Sequence, residues 1–135
     1  MKPRPAPSTR RGVTLIEMSV VICVLLALMS TGLYFSNQIG NWKAGKEAAE
    51  TLRAVYAAQR MYLADHPTAA VGTLTQEKLL PYMPNHPSVM PTITSLDDEE
   101  LGINVTVSPP VVDGGGGAAY DPSGSSSDSL WDVGE

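Results

Sequence analysis

The sequence predicts an α+β fold: one long N-terminal helix, membrane-spanning at first and amphipathic after, packed on a small antiparallel β-sheet. Three observations predict it. Residues 13–35 form an apolar run of 23 with a single charge, Glu17, and roughly 20 such residues cross a bilayer as a helix. No proline lies between Pro7 and Pro67, so nothing in that interval forbids a continuous helix. Beyond Pro67 the chain breaks into short pieces. In one of them, residues 102–108, Ile103, Val105 and Val107 alternate with Asn104, Thr106 and Ser108, which is the period of a half-buried strand.

Residues 1–12 read as a polar, proline-containing leader that carries Lys2, Arg4, Arg10 and Arg11. Residues 13–35 are the transmembrane helix. Basic residues cluster before this span and none follows it until Lys43. That asymmetry places the N-terminus in the cytoplasm and the remainder outside, in a single pass. Residues 36–66 are the amphipathic continuation. From Asn41 onward, Ala48, Ala49, Leu52, Val55, Tyr56, Gln59, Tyr62 and Leu63 recur at steps of three and four, giving one buried stripe. Lys46, Glu47, Glu50, Arg53 and Arg60 fall largely on other faces. Pro67 disfavours helix at His66, so the helix stops there.

Residues 67–135 form a small strand- and loop-rich region. Thr73 with Gln76 fits a capping box that opens a brief helix to about Leu80. Pro81, Pro84, Pro87 and Pro91 mark a loop, and Asp97-Asp98-Glu99-Glu100 a solvated turn. Pro109 and Pro110 end the strand begun at Gly102. Residues 114–117 are all glycine but lack the Lys-Ser/Thr of a phosphate loop. Residues 118–120 and 130–133 either pair as two short strands around the turn Asp121-Pro122-Ser123-Gly124, or belong to a Ser/Gly-rich disordered tail.

Composition excludes several functions. The 135 residues suffice for one domain, with a net charge of -5. Without residues 1–12, five basic residues face all 14 acidic ones, a poor basis for nucleic-acid binding, which needs clustered cations. Cys23 is the only cysteine and lies in the span. The outer region therefore has no internal disulfide and no thiol metal site. His66 and His86 each sit beside a proline without ligand spacing, and nothing resembles a nucleophile elbow. The chain is read as a non-enzyme.

Glu17 is the most informative residue. A carboxylate inside an apolar span is costly and a functional suspect by default, and the span holds no Lys or Arg to pair with it. The segment Arg10-Arg11-Gly12-Val13-Thr14-Leu15-Ile16-Glu17-Met18, followed by an uncharged helix, resembles the prepilin-type cleavage and methylation segment of bacterial type IV pilins and of the pseudopilins of type II secretion.

The resemblance implies a pilin-like fold and a structural role, as a subunit of a type II secretion pseudopilus or a related type IV pilus-like filament. It implies cleavage between Gly12 and Val13 by prepilin peptidase, and N-methylation of Val13 by the same enzyme. The implied partners are identical or related pilin-like subunits, the inner-membrane assembly platform and membrane lipid. The new amine at Val13 lies one helical turn from Glu17, and either that amine or its counterpart on an adjacent helix can neutralise the carboxylate; the resemblance implies the intersubunit pairing, which sets the axial offset of the two. The absence of paired C-terminal cysteines points toward a pseudopilin. Asp121, Asp128 and Asp132 near Trp131 are similar to the acidic calcium-closed loop of the major pseudopilin. Hard oxygen ligands suit calcium, although their spacing matches no fixed loop and a solvated acidic tail is the competing reading.

A rival reading is an exported binding protein with a twin-arginine-like signal or signal anchor, since Thr9-Arg10-Arg11-Gly12-Val13-Thr14-Leu15 fits the start of such a signal. Against it stand an apolar run longer than a signal's usual 7–15 residues, the lack of an Ala-x-Ala site and the presence of Glu17. The mature N-terminus separates the two: Val13 for the filament, a start beyond Phe35 for the rival.

Overall fold

A computed structural model describes residues 1–4, 12 and 14–134. The fold is α+β. Helix α1 runs Leu15–Asp65, 51 residues, and packs on two small antiparallel sheets. Strand β1 (Ile93–Thr94) pairs with β2 (Glu100–Leu101), Ile93 opposite Leu101. Strand β3 (Ile103–Asn104) pairs with β4 (Val111–Val112), Ile103 opposite Val112. Between α1 and β1 lie a 3-10 turn at Val71–Thr73, a short helix α2 (Gln76–Leu79) and a second 3-10 turn at Leu80–Tyr82. The chain divides into two units, Met1–Asn37 and Gln38–Glu135.

In the first unit every described residue is exposed. The stretch of α1 there is long and apolar enough to cross a membrane. Its hydroxyls are folded back onto the helix: Ser19 Oγ donates to the Ile16 carbonyl (2.8 Å), Ser30 Oγ to that of Leu26 and Thr31 Oγ1 to that of Ala27 (both 2.9 Å). Such bonds satisfy these three hydroxyls within the helix itself.

The second unit contains the core. Ala48, Ala49, Leu52, Val55, Ala58 and Gln59 of α1 are buried, the helical stripe that the spacing predicts. Ala48, Leu52, Val55 and Ala58 pack in one cluster with Leu79 and Met83, with Ile93, Ile103, Val105 and Val112 of the strand region, and with Trp131 and Val133 of the tail. Tyr56, Tyr62 and Leu63 are only partly buried, at the margin of this cluster. The helix ends at Asp65, ahead of Pro67, where the His66 ring stacks on Tyr62 (4.3 Å between centroids) and the Tyr82 hydroxyl donates to Asp65 (2.9 Å).

Three expectations are corrected. The Thr73–Gln76 capping box does not form: Thr73 Oγ1 donates to the Ala70 carbonyl, and the Gln76 amide reaches across to the Ile103 carbonyl (2.9 Å). Helix α2 is instead preceded by Thr75, without a side-chain cap. The strand expected over residues 102–108 stops at Asn104. There the Asn104 carboxamide oxygen accepts from Thr106 N and Oγ1 (3.0 and 2.7 Å), turning the chain out of the ladder. The Gln59 amide then takes the Val105 and Val107 carbonyls (3.0 and 2.8 Å). Val107, expected in the core, is 41% exposed.

Finally, residues 118–120 and 130–133 do not pair. Ala119 bridges to Asp113, and the tail returns to the helix, where Trp131 N donates to the Gly45 carbonyl (3.1 Å) and Arg53 Nε donates to that of Val133 (3.0 Å). Trp131 is 4% exposed. A Cβ at Gly45 would lie 2.8 Å from Trp131 Nε1, so only glycine lets the indole approach this closely.

Candidate functional site

The start of α1 is built by local chemistry. Thr14 directly precedes the first helical residue, and its carbonyl accepts from Met18 N (3.2 Å). Thr14 Oγ1 accepts from the backbone N–H of Glu17 (3.3 Å). Thr14 is therefore the N-cap and Glu17 the third helical residue, the spacing of a capping box. The signal Thr-x-x-Glu was present in the sequence but was eclipsed by the charge anomaly at Glu17.

Glu17 thus has a local role. A carboxylate in the first turn is stabilised by the helix dipole, by about 0.3–1 kcal/mol at an exposed site. Its side chain is exposed and has no ion-pair or hydrogen-bond partner among the described residues. Gly12 is exposed, with nothing among the described residues within 4 Å of where a Cβ would stand. The described structure therefore makes no demand for glycine at this position. Val13, the other half of the junction, lies outside the described residues, as do Arg10 and Arg11.

The acidic tail residues are drawn together, but each carboxylate is engaged locally. Asp121 Oδ1 accepts from Ser123 N (3.0 Å), Asp128 Oδ1 from Leu130 N (3.0 Å), and Asp132 Oδ1 from Gly134 N. Asp132 Oδ2 is buried without a partner. Desolvation holds the Asp132 pKa above the ordinary carboxylate value; its contact with Asp128 and the charges of Asp128 and Asp121 push the same way, while the Gly134 N–H pulls it down. Among the described residues no three His, Cys, Asp or Glu side chains converge as a metal-holding group. As arranged, the described carboxylates do not converge as a calcium ligand set. His66 stacks on Tyr62, and His86 sits exposed in a separate turn with φ 43°.

Sequence reasoning also passed over Trp42, the last residue of the charge-free run 18–42, which Lys43 ends. Trp42 is 54% exposed. Comparison with known proteins gives no match: no family model, no curated protein and no solved structure is similar to the chain.

Proposed function

We propose that the chain is a structural subunit of a type II secretion pseudopilus or a related type IV pilus-like filament, made as a precursor. The peptidase that cuts between Gly12 and Val13 is the enzyme of the process, and this chain is its substrate. In this reading the subunit sits in the bacterial inner membrane in a single pass, N-terminus cytoplasmic and residues 38–135 outside, until it joins a filament of related subunits.

One observation carries the reading: Glu17 has a capped backbone but, among the described residues, no partner for its carboxylate, and the apolar residues of α1 up to Asn37 are all exposed. At the centre of a bilayer an acidic residue costs about 2.5–3.5 kcal/mol on insertion scales, and less near the end of the span. Cleavage after Gly12 supplies a cation at Val13. Packed against a second helix, the Glu17 carboxylate meets the Val13 amine of the neighbour, and the pair fixes the axial offset as buried polar residues fix register in helical assemblies. Gly12 fits the same account. The described fold does not require a glycine there, whereas a peptidase closing on the backbone does.

A second reading has its own observation: through the Thr14 cap, Glu17 serves only its own helix. Glu17→Gln separates the two. Glutamine is accepted at this position of a capping box but carries no charge. Breaking a buried pair by removing one partner costs about 3–5 kcal/mol, so the pairing account predicts that cross-linking between cysteines introduced in adjacent helices, with Cys23 replaced by Ala, falls by about a hundredfold or more. Membrane insertion and cleavage continue. Filaments formed at parental yield by Glu17→Gln would leave self-capping as the role of Glu17.

A further inference from the structure

Ile39, Trp42, Lys43 and Lys46 are spaced three and four residues apart, along one face of α1. Ile39 and Trp42 are exposed large apolar side chains. Lys43 is exposed and Lys46 half-buried, and neither has a hydrogen bond or ion pair among the described residues. Glu47 and Glu50 stand four residues beyond Lys43 and Lys46, in helical pairing distance by sequence, yet the pairs are not made. Trp42, Lys43, Lys46, Glu47 and Glu50 line one shallow depression. An amphipathic ring and two free ammonium groups sit together on a helix that also carries a stretch able to cross a membrane. Lys43 is the first charge after Glu17.

We propose that Trp42, Lys43 and Lys46 form a phospholipid headgroup contact that docks the unassembled subunit's outer unit on the membrane surface. The inference rests on the membrane-anchored part of the reading above. Tryptophan partitions to the headgroup level because its ring is apolar and its N–H polar, and a lysine ammonium is a point-charge ligand for phosphate. Continuity decides the occupant, because Ile39 and Trp42 are the last large apolar residues of the charge-free run of the same helix and Lys43 follows directly. Glu47 and Glu50, one turn further along the chain, limit the phosphate contact to Lys43 and Lys46.

The test uses the full chain in vesicles of phosphatidylcholine, alone or mixed with phosphatidylglycerol. Trp131 is buried, so the difference between the parent and Trp42→Phe isolates the Trp42 emission. In protein that floats with the vesicles, Trp42 is expected to be shielded from acrylamide and quenched by lipids brominated at shallow acyl positions. Lys43→Gln and Lys46→Gln each lower the ratio of shielded to free Trp42 by about fivefold in the anionic vesicles, and salt reduces the difference. Floating protein whose Trp42 remains open to acrylamide and unquenched overturns the contact while leaving the anchor in place. Protein that does not float overturns the anchor, and the contact with it.

Discussion

Gln59 offers a test in which hydrogen-bond polarity and volume give different answers. It is fully buried, and its amide nitrogen donates to the carbonyls of Val105 (3.0 Å) and Val107 (2.8 Å), holding the chain after β3 against α1. Its Oε1 is buried without a partner. Gln59→Met keeps most of the volume and removes the donor. Two bonds at about 0.5–1.5 kcal/mol each are lost, and the Val105 carbonyl is left dry at about 1–3 kcal/mol. Exposed Val107 regains water, and loss of the orphan Oε1 returns a similar desolvation cost. The net expectation is a destabilisation of about 1–3 kcal/mol. Gln59→Glu keeps shape better but turns a carboxylate onto two carbonyl oxygens in a dry site, adding several kcal/mol for an unpaired buried charge. It should therefore be the worse variant at neutral pH and recover partly in acid, where a protonated carboxyl donates again. Guanidinium unfolding of the full chain in detergent, followed by near-ultraviolet circular dichroism, measures both. Equal midpoints for the two variants at neutral pH would refute the assignment of Gln59 as a donor clamp.

Other outcomes follow from the same contacts. Gly45→Ala gains up to about 1 kcal/mol of helix propensity, yet its Cβ meets Trp131 Nε1 at 2.8 Å and Leu130 Cβ at 3.2 Å. Overpacking of about 1–3 kcal/mol should dominate, so the thermal midpoint falls; a rise would mean that the tail does not sit on α1. The raised Asp132 pKa means that the folded state binds more protons than the unfolded one between the ordinary value and its own. Its stabilising contribution is complete below the unfolded pKa and is lost as pH rises through the folded one. Asp132→Asn should accordingly be more stable than the parent at neutral pH and lose that advantage toward about pH 4; a gap that does not change with pH would contradict the placement of that carboxylate. Leu52→Ala, at a fully buried position, should cost about 2–5 kcal/mol in the same denaturation assay, and a near-zero change would remove Leu52 from the core.

The helical part of the fold was legible because its cause is local. Ala48, Leu52, Val55 and Gln59 repeat with the turn of the helix, and Pro67 marks its end. What sequence reading missed depends on contacts between distant segments. Alternation over residues 102–108 gave a strand, but Gln59, more than 40 positions earlier, takes the carbonyls that a partner strand would have used. The reason for glycine at position 45 is an indole 86 positions later. Trp131 had a weak signal as a lone aromatic in a Ser/Gly-rich tail, and nothing local told it to pack on α1. At the candidate site, residue order alone singles out Glu17 and proposes the junction Gly12-Val13. The Thr14 cap is legible too, as Thr-x-x-Glu at the start of an apolar run.

The central claim is that this chain is a processed filament subunit, and its mature N-terminus tests that most directly. Intact mass and N-terminal sequencing of the protein from a membrane fraction should show a chain that begins at Val13, with a methyl group on its amine. Gly12→Leu should leave the longer precursor in the same membrane. A parental chain that keeps residues 1–12, or one that begins beyond Phe35, would contradict the account.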